Sequence, residues 1–274
     1  MATLDGKCAL VTGSTDGVGR LVATRLAANG ASVLVHGRDR ARGERLVAEI
    51  KGKGGAAEFL VADLASLRAV RGLAEAVQAQ TKRLDILVNN AGIGSASGGN
   101  SRQASADGCE LRFAVNYLSG FLLTHLLLSL LRASAPARIV NVASAGQQEI
   151  DFADVMLTRG YSGTRAYCQS KLAQIMFTID LAETLKGSGI TVNALHPATY
   201  MNTTMVREAG VTPWSSVEEG AEAILNLAAA PALHGRSGLY FNGLNEARAN
   251  RQAYDAEARR RLRELSRELI QAFV

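Results

Sequence analysis

The sequence predicts an α/β fold, with one doubly wound parallel sheet of about seven strands and helices on both of its faces. Short apolar runs rich in β-branched residues alternate with longer segments of helical periodicity over the whole chain. The runs are unbroken rather than alternating, which is typical of strands covered by helices on both faces. Alternating β and α units joined by right-handed crossovers then leave a parallel sheet as the expected architecture.

The size and composition of the chain fit a single domain. Its 274 residues are 47% hydrophobic and 20% charged, and no long low-complexity or highly charged linker divides them. We therefore expect residues 1–274 to form one domain with a sizeable core. The net charge of +5 comes mostly from arginines scattered over helix faces, apart from the run at 259–261. Since no basic stripe forms, the sequence argues against a nucleic-acid partner.

The cysteines and the apolar segments favour a cytoplasmic protein without a metal site. Cys8, Cys109 and Cys168 have neither metal-ligand spacing nor even pairing, which indicates a reducing compartment. The first residues lead into an apolar strand without the apolar region of a secretory signal. The most apolar stretch, residues 121–131, is too short to cross a bilayer, so we expect no stable membrane insertion.

Each predicted strand is a short apolar run between turn residues. In chain order, the strands are expected at residues 8–12, 31–36, 59–62, 84–89, 138–143, 191–195 and 239–241. Each predicted helix shows apolar residues three or four apart. The helices are expected from the first glycine turn to about residue 29 and at 40–51, 67–80, roughly 109–133 and 164–186.

The C-terminal residues 254–273 predict a further helix. Apolar side chains at 262, 265, 269 and 270 stand among many Arg and Glu residues, which is an amphipathic pattern. We expect this helix to pack on the domain. A partner helix or a membrane surface is the alternative use of its apolar face.

A glycine-rich turn joins the first strand to the first helix, in the sequence Thr12-Gly-Ser-Thr-Asp-Gly-Val-Gly19. Such glycines let the backbone turn tightly and approach a pyrophosphate, while the amides of the following helix face the phosphates. The turn therefore predicts a nucleotide site formed by Gly13, Ser14, Thr15, Asp16, Gly17, Val18 and Gly19. The alternative is a turn that only connects the strand to the helix.

The end of the second strand indicates which dinucleotide is bound. NAD sites usually place an acidic residue here for the ribose hydroxyls, whereas an arginine accommodates the 2′-phosphate of NADP. Gly37 stands at the position expected for the acid, and Arg38 follows it. Because a guanidinium binds phosphate through paired hydrogen bonds, NADP(H) is favoured over NAD(H). Alternatively, Arg38 and Arg40 only solvate the start of the next helix.

Further motifs follow in a characteristic order: Ala62-Asp63-Leu64, Asn89-Asn-Ala-Gly92, Asn116, Ser144 and Tyr167-x3-Lys171. With them, the chain resembles the short-chain dehydrogenase/reductase family over nearly its whole length. The resemblance implies that Asp63 contacts the adenine and that Asn89 is partly structural. The implied cofactor site also includes Leu64, Asn90, Ala91, Gly92, Tyr167, Lys171, Pro197 and Thr199.

The segment after the sixth strand departs from the family pattern. The family usually has Pro-Gly here, whereas this chain has Pro197-Ala198, so the backbone is less free. Thr199, Thr203 and Thr204 are alternative contacts for the nicotinamide amide. Tyr200 either contacts the cofactor or closes off the substrate cavity.

Tyr167 and Lys171 are the candidate proton-transfer pair, because residues four apart share one face of a helix. A hydride added to a carbonyl leaves an alkoxide that needs a proton, and a nearby lysine stabilises the phenolate of the tyrosine that supplies it. Tyr167 then acts as general acid in reduction and general base in oxidation. Ser144 is expected to donate a hydrogen bond to the substrate oxygen.

The family resemblance adds two roles to this chemistry. Lys171 is expected to hold the nicotinamide ribose as well, and Asn116 to position a water that relays protons to Lys171. Each residue has a structural alternative: Ser144 as an ordinary strand-end residue, and Asn116 as a polar residue inside a helix. A Tyr and a Lys four residues apart also occur together by chance.

The substrate pocket is expected between the loop 92–101, an inserted substrate loop around 145–165 and a lid-like segment around 198–216. Apolar side chains in or near these segments favour an apolar carbonyl or alcohol, although they can also merely pack a lid. They are Phe152, Met156, Tyr161, Tyr200, Met201, Met205 and Trp214. The insertion, the residues around Tyr167 and the late strand resemble, more loosely, the retinol dehydrogenase and protochlorophyllide reductase branch.

Two functions fit these observations. One is an NADP(H)-dependent oxidoreductase, and the other is a non-catalytic NADP-binding sensor or scaffold of the same fold. Such sensors typically lose the tyrosine or the lysine, whereas this chain keeps Ser144, Tyr167 and Lys171, which favours the enzyme. Family members often associate through the helices that hold Asn116 and Tyr167, which implies a homodimer or homotetramer unless the insertion between Ser144 and Tyr167 alters those contacts.

Overall fold

One eight-stranded sheet runs through the computed structural model, which describes residues 3–96 and 101–274. The strand order is β3-β2-β1-β4-β5-β6-β7-β8, in which every neighbouring pair is parallel except β7 with β8. The strands are β1 Cys8–Val11, β2 Ser32–Gly37, β3 Ala56–Val61, β4 Ile86–Asn89, β5 Ala137–Val142, β6 Ile190–His196, β7 Tyr240–Asn242 and β8 Asn245–Ala247. The predicted doubly wound parallel sheet is confirmed.

Two strands differ from the sequence prediction. β3 begins at Ala56, earlier than expected, because Ala56 and Ala57 pair with Ser32 and Val33 of β2 despite their weak strand propensity. β8 was not predicted at all, since its residues Asn245–Ala247 include no β-branched or aromatic side chain. A two-residue turn with Gly243 at φ +58° pairs it with β7, and pairing rather than composition defines it.

Helices cover both faces of the sheet. They are α1 Gly17–Ala28, α2 Arg40–Gly52, α3 Leu67–Gln80, α4 Ser119–Ala133, α5 Gly163–Thr184, α6 Thr204–Glu208, α7 Val217–Ala229 and α8 Ala256–Ile270. The apolar side chains of α1, α2 and α7 form one core layer, and those of α3, α4, α5 and α8 form the layer on the opposite face. Short 3-10 segments at Pro231–Leu233, Arg251–Tyr254 and Gln271–Phe273 complete the chain.

The long apolar helix before β5 starts as a π-helix. Residues Phe113–Leu118 have π geometry and continue directly into α4, so the helix expected from about residue 109 begins as a wider turn. Together, residues 113–133 are long and apolar enough, by composition, to cross a membrane. In the fold this helix packs within the core between α3 and α5, and 61% of the 18-residue apolar stretch inside it is buried.

The C-terminal helix α8 packs on the domain, as its amphipathic pattern predicted. Leu262 and Ile270 join the core layer formed with α5. Ser266 Oγ lies 2.7 Å from the buried hydroxyl of Tyr117, a residue of the π-helix. The fold therefore buries the apolar face of α8 within the same chain.

Candidate active site

The glycine-rich turn lies directly against the carboxyl end of β4. A Cβ atom on Gly13 would lie 2.8 Å from the Ala91 Cα, and one on Gly19 would lie 2.4 Å from the Asn90 Nδ2. Thr12 Oγ1 accepts hydrogen bonds from the backbone amides of Asn90 and Ala91, both at 3.0 Å. The predicted cofactor residues of β1 and β4 are therefore joined at one edge of the sheet, and only glycine fits the two crossing points.

The glycine-rich turn places the N-terminus of α1 at this edge of the sheet. This arrangement fits a bound dinucleotide. The helix begins at Gly17 after the N-cap Asp16, and no acidic side chain stands in its first turn. The amides at a helix N-terminus have no acceptor within the helix, and the helix dipole favours an anion there. Thr15 and Val18 both belong to the glycine-rich turn. Ser14 of this turn is buried, and its hydroxyl donates a hydrogen bond to the Val11 carbonyl.

His36, at the end of β2, supports the turn from below and was not identified as a functional residue from the sequence. Its Nδ1 accepts the Gly13 amide at 3.1 Å, and its Nε2 donates to the Ala62 carbonyl at 3.2 Å. Burial lowers the pKa of His36 to about 4, so the ring is neutral near pH 7. The ring therefore ties the glycine-rich turn to the chain just after β3.

The adjacent Gly37 leaves no room for a side chain. A Cβ at this position would lie 2.5 Å from Thr15 Cγ2, so the position expected for an acidic ribose ligand is filled by the turn itself. Arg38 follows and is exposed. Asp63 lies at the carboxyl end of β3 and accepts a hydrogen bond from the Ala65 amide, while the neighbouring Leu64 is buried.

Ser144 and Tyr167 meet at the carboxyl end of β5. Ser144 follows that strand and is 8% exposed, and Tyr167 stands in the second turn of α5, whose N-terminus Ser162 caps. Both side chains lie against Gly146, where a Cβ atom would be 3.5 Å from Ser144 Oγ and 3.7 Å from Tyr167 Cε1. Burial raises the pKa of Tyr167, and the nearby Ser144 hydroxyl acts in the opposite direction.

Lys171 lies one turn further along α5 and is 5% exposed. Its Nζ is 5.8 Å from the centroid of the Tyr167 ring, and it donates to the Val142 carbonyl and to Gln174 Oε1, both at 2.9 Å. Burial lowers the pKa of Lys171 to about 7. The fold thus brings the predicted trio together, and it adds Gln174, which the sequence did not indicate.

Asn116 lies on the π-helix, and its side chain is held by backbone and by α5. Oδ1 accepts the Ile93 amide at 2.8 Å, while Nδ2 donates to the Ile93 carbonyl at 3.2 Å and to Ser170 Oγ at 2.9 Å. A Cβ on Gly92 would lie 3.3 Å from Asn116 Oδ1 and 3.4 Å from Lys171 Nζ. Asn116 therefore fixes the loop after β4 beside the lysine.

Next to this point lies a small cavity. Thr12, Asn89, Asn116 and Gln174 are among its lining residues, and its volume of about 10 Å³ is at the lower limit for holding one water molecule. Asn89 is structural, as implied, because its Nδ2 donates to Thr124 Oγ1 at 3.0 Å and to Asn141 Oδ1 at 2.9 Å.

The lid-like segment runs from the end of β6 to the glycine-rich turn. After the buried Pro197, the Thr199 hydroxyl lies 3.0 Å from His196 Nε2, and Tyr200 has a left-handed backbone at φ +46°. Thr204 Oγ1 donates to Asp16 Oδ2 at 2.8 Å, which ties α6 to the glycine-rich turn. Of the alternative nicotinamide contacts, Thr199 therefore lies beside β6, whereas Thr204 and its neighbour Thr203 lie over the turn.

Arg112 organises the expected substrate pocket from inside the protein. It is fully buried and donates to the carbonyls of Gly94 at 3.0 Å and Ser95 at 2.7 Å. Its Nη1 donates at 2.5 Å to the hydroxyl of Tyr161, in the insertion between β5 and α5. The loop after β4, the start of the long helix and the insertion therefore meet at one guanidinium. The predicted pocket residues 97–100 lie outside the described residues.

The insertion is also tied to the C-terminal part of the chain. The backbone of Ile150 makes two hydrogen bonds with the side chain of Gln252, at 2.6 and 3.1 Å. Among the described residues, no group of three or more His, Cys, Asp or Glu side chains is arranged to hold a metal ion.

Comparisons with known proteins agree with this geometry. A family model described as short chain dehydrogenase matches residues 7–213. Retinol dehydrogenase 13 from Homo sapiens is 38% identical, over 95% of this chain and 83% of its own length. The crystal structure of an uncharacterized protein from Mycobacterium Paratuberculosis has a TM-score of 0.81 at 27% identity, covering 99% of this chain and 96% of that one.

A solved structure with a cofactor in its description is also similar. The Pseudomonas aeruginosa RhlG/NADP active-site complex has a TM-score of 0.70 at 31% identity, covering 88% of this chain and 95% of that one. A nicotinamide-dependent oxidoreductase is the class that the fold and the site define. Within that class, the chain belongs to the short-chain dehydrogenase family and, within the family, to the retinol dehydrogenase branch.

Proposed function

We propose that this protein is an NADP(H)-dependent oxidoreductase that interconverts a carbonyl and an alcohol, with Tyr167 transferring the proton. The observation that carries the proposal is the Ser144–Tyr167–Lys171 arrangement at the carboxyl edge of the sheet, beside the glycine-rich turn. The nicotinamide supplies or accepts the hydride when it is bound.

The side chains supply the proton chemistry. In reduction, Tyr167 protonates the oxygen that receives negative charge, and in oxidation it accepts the proton back. Ser144 donates a hydrogen bond to the same oxygen. The Lys171 ammonium stabilises the phenolate that Tyr167 becomes, an effect that is strengthened because Lys171 is buried and Tyr167 is only partly exposed.

Two features support NADP(H) over NAD(H). At Gly37, a side chain would collide with Thr15, so the acidic residue typical of an NAD site has no room there. Arg38 follows on an exposed backbone position suited to a 2′-phosphate. The NADP complex among the similar structures is consistent with this preference.

The substrate that we propose is an apolar alcohol or aldehyde of the kind that the names of the relatives describe, such as retinol. Tyr200 and Trp214 pack edge to face at 5.3 Å in the lid-like segment, and both are exposed. Met205 of the same segment is also exposed. These side chains offer apolar surface to a substrate that water solvates poorly.

We further propose that the protein works in the cytoplasm, with residues 113–133 as a core helix rather than a membrane span. The subunit contacts expected from the family are partly covered by α8. Arg259 of α8 pairs with Glu183 of α5 at 2.8 Å, and Arg263 of α8 pairs with Asp180. A homodimer of this chain would therefore use a surface other than the one that α8 covers.

A carbonyl panel with NADPH tests the main proposal. We expect steady NADPH oxidation with apolar aldehydes or ketones, and a rate at least about 100-fold lower in Tyr167→Phe, since general acid catalysis contributes that much. Tyr254→Phe, a change in an exposed tyrosine, is the control and should behave like wild type. Unchanged turnover in Tyr167→Phe would disprove the proton-transfer role. Tight NADPH binding without turnover of any carbonyl would instead favour a sensor.

A further inference from the structure

Gln174 lies three residues beyond Lys171 on α5, and the two side chains meet inside the protein. The distance between Lys171 Nζ and Gln174 Oε1 is 2.9 Å, and the two residues are 5% and 4% exposed. The same ammonium donates to the backbone carbonyl of Val142 at 2.9 Å. Gln174 is thus the only side chain of the described residues for which the structure shows a hydrogen bond from this lysine.

The geometry gives the ammonium a defined orientation. An ammonium has three N–H donors and no acceptor, so two donors are used by Val142 and Gln174 and one is left. On another side of Nζ stands Gly92, whose absent side chain leaves space: a Cβ there would lie 3.4 Å from Nζ. Without the Gln174 contact, only the Val142 carbonyl would hold the ammonium, and the direction of its other donors would be less closely fixed.

We propose that Gln174 is a positioning residue for the reaction: its side-chain carbonyl holds Lys171 charged and turns its remaining N–H toward the cofactor ribose and Tyr167. This inference rests on the proposed function. Gln174 itself acts through Lys171 and touches neither the substrate nor the reacting atoms.

The charges around Lys171 show why a neutral acceptor matters. The titratable groups that face it are Tyr167 on α5 and His196 at the end of β6, and burial lowers the pKa of that histidine. β5 and the π-helix present only neutral groups, the Val142 carbonyl and the Asn116 amide. No carboxylate of the described residues pairs with Nζ, so hydrogen-bond acceptors alone offset the burial that lowers the pKa of Lys171 to about 7.

Two substitutions at position 174 should move the pH profile in opposite directions. Carbonyl reduction needs Lys171 charged, so the rate falls as pH rises through the pKa of that lysine. Gln174→Met removes the acceptor at similar volume and so lowers the pKa of Lys171. The alkaline limb of the kcat/KM profile should then move to lower pH by about one unit. Gln174→Glu adds a negative charge beside the ammonium and should shift the limb upward.

Gln169→Met is the matched control. Gln169 lies on the same helix with the same 4% exposure, but its amide donates to the Glu149 carbonyl and not to the lysine. It should leave the alkaline limb in place, whatever it does to stability. A merely structural role for Gln174 predicts lower stability in both position-174 variants with no opposite displacement of the limb, and that result would overturn the proposal.

A second readout separates this proposal from the proposed function. In protein labelled with ¹³C-lysine, the ¹³Cε signal of Lys171, assigned by its loss in Lys171→Met, reports the titration without turnover. We expect its midpoint to move down in Gln174→Met and up in Gln174→Glu, even if no carbonyl is reduced by the wild type. Equal midpoints in wild type and both variants would refute the role of Gln174 while leaving any measured enzyme activity untouched.

Discussion

Glu110 and Arg112 form an ion pair that is shielded from solvent, with 3.5 Å between Glu110 Oε1 and Arg112 Nη1 and exposures of 1% and 0%. The same carboxylate accepts the Phe113 amide at 2.8 Å, and the hydroxyl of Tyr161 donates to it at 3.2 Å. A buried charge is tolerated only when such partners satisfy it. The pair therefore fixes the relative positions of three segments around the expected substrate pocket.

Arg112→Met should be strongly destabilising, because it leaves the carboxylate of Glu110 buried without its partner. We expect the free energy of unfolding to fall by about 3–5 kcal/mol, as measured by urea denaturation. In the folded fraction, the KM for the carbonyl should rise more than kcat falls, since the guanidinium holds the loop carbonyls of Gly94 and Ser95 and not the reacting atoms.

The control for this change is Arg71→Met, which breaks an exposed pair with Glu75 on α3. Exposed pairs contribute about 0–1 kcal/mol, so its stability should stay close to wild type. If both variants lose the same small amount, the buried pair does not organise the pocket.

His36 should make the stability depend on pH in the weakly acidic range. Its pKa in the folded protein is about 4, against 6.5 as the ordinary value, so between these values the unfolded chain binds more protons. The contribution of His36 to the free energy of unfolding is therefore fully present above about pH 6.5. It is lost as the pH decreases toward 4, by about 3 kcal/mol in total.

The measurement compares wild type with His36→Gln, which keeps a donor and an acceptor but does not titrate in this range. Urea denaturation at pH 7.5 and pH 5 should give a smaller loss of stability for the variant than for wild type. The same pH dependence in both proteins would mean that His36 is not buried neutral under the glycine-rich turn.

Arg38→Ala should reduce the preference for NADPH. A charged hydrogen bond to a phosphate is expected to contribute about 10- to 100-fold in kcat/KM with NADPH, whereas the value with NADH should change little. Arg40→Ala is the control, because that exposed arginine pairs with Glu44 on its own helix. Comparable efficiency of wild type with NADH and NADPH would contradict the role of Arg38.

Local patterns were sufficient for most of the fold. Apolar runs located the strands β1 to β7, and helical spacing located α1 to α5 and α8, because both signals repeat within a few residues. Helix α7 was not predicted, although it carries such a signal and a capping box formed by Ser216 and Glu219. Two other elements have no local signal of their own. β8 consists of Asn245–Ala247 and exists through its pairing with β7, and the π-helix Phe113–Leu118 shares its apolar spacing with the α-helix that follows.

The residues of the candidate site also fall into two groups, those that a local pattern indicated and those that only the structure revealed. The spacing of Tyr167 and Lys171 placed both on one face of one helix, and the order of the motifs indicated that Ser144 would join them. No local pattern indicated His36 or Gln174, since a histidine at a strand end and a glutamine in a helix are ordinary residues. Their importance comes from contacts with Gly13 and Lys171 that the fold creates.

By itself, the sequence determined the alternation of strands and helices, the glycine-rich turn and the residues to which we assign the proton transfer. Only the tertiary structure decided what surrounds them: the acceptor that holds Lys171, the side chain that excludes an acid at Gly37, and the buried guanidinium of Arg112 behind the pocket. The reason is physical. Hydrophobic periodicity and turn-forming residues act between near neighbours in the sequence. Burial and most hydrogen-bond partners instead depend on distant segments that only folding brings together.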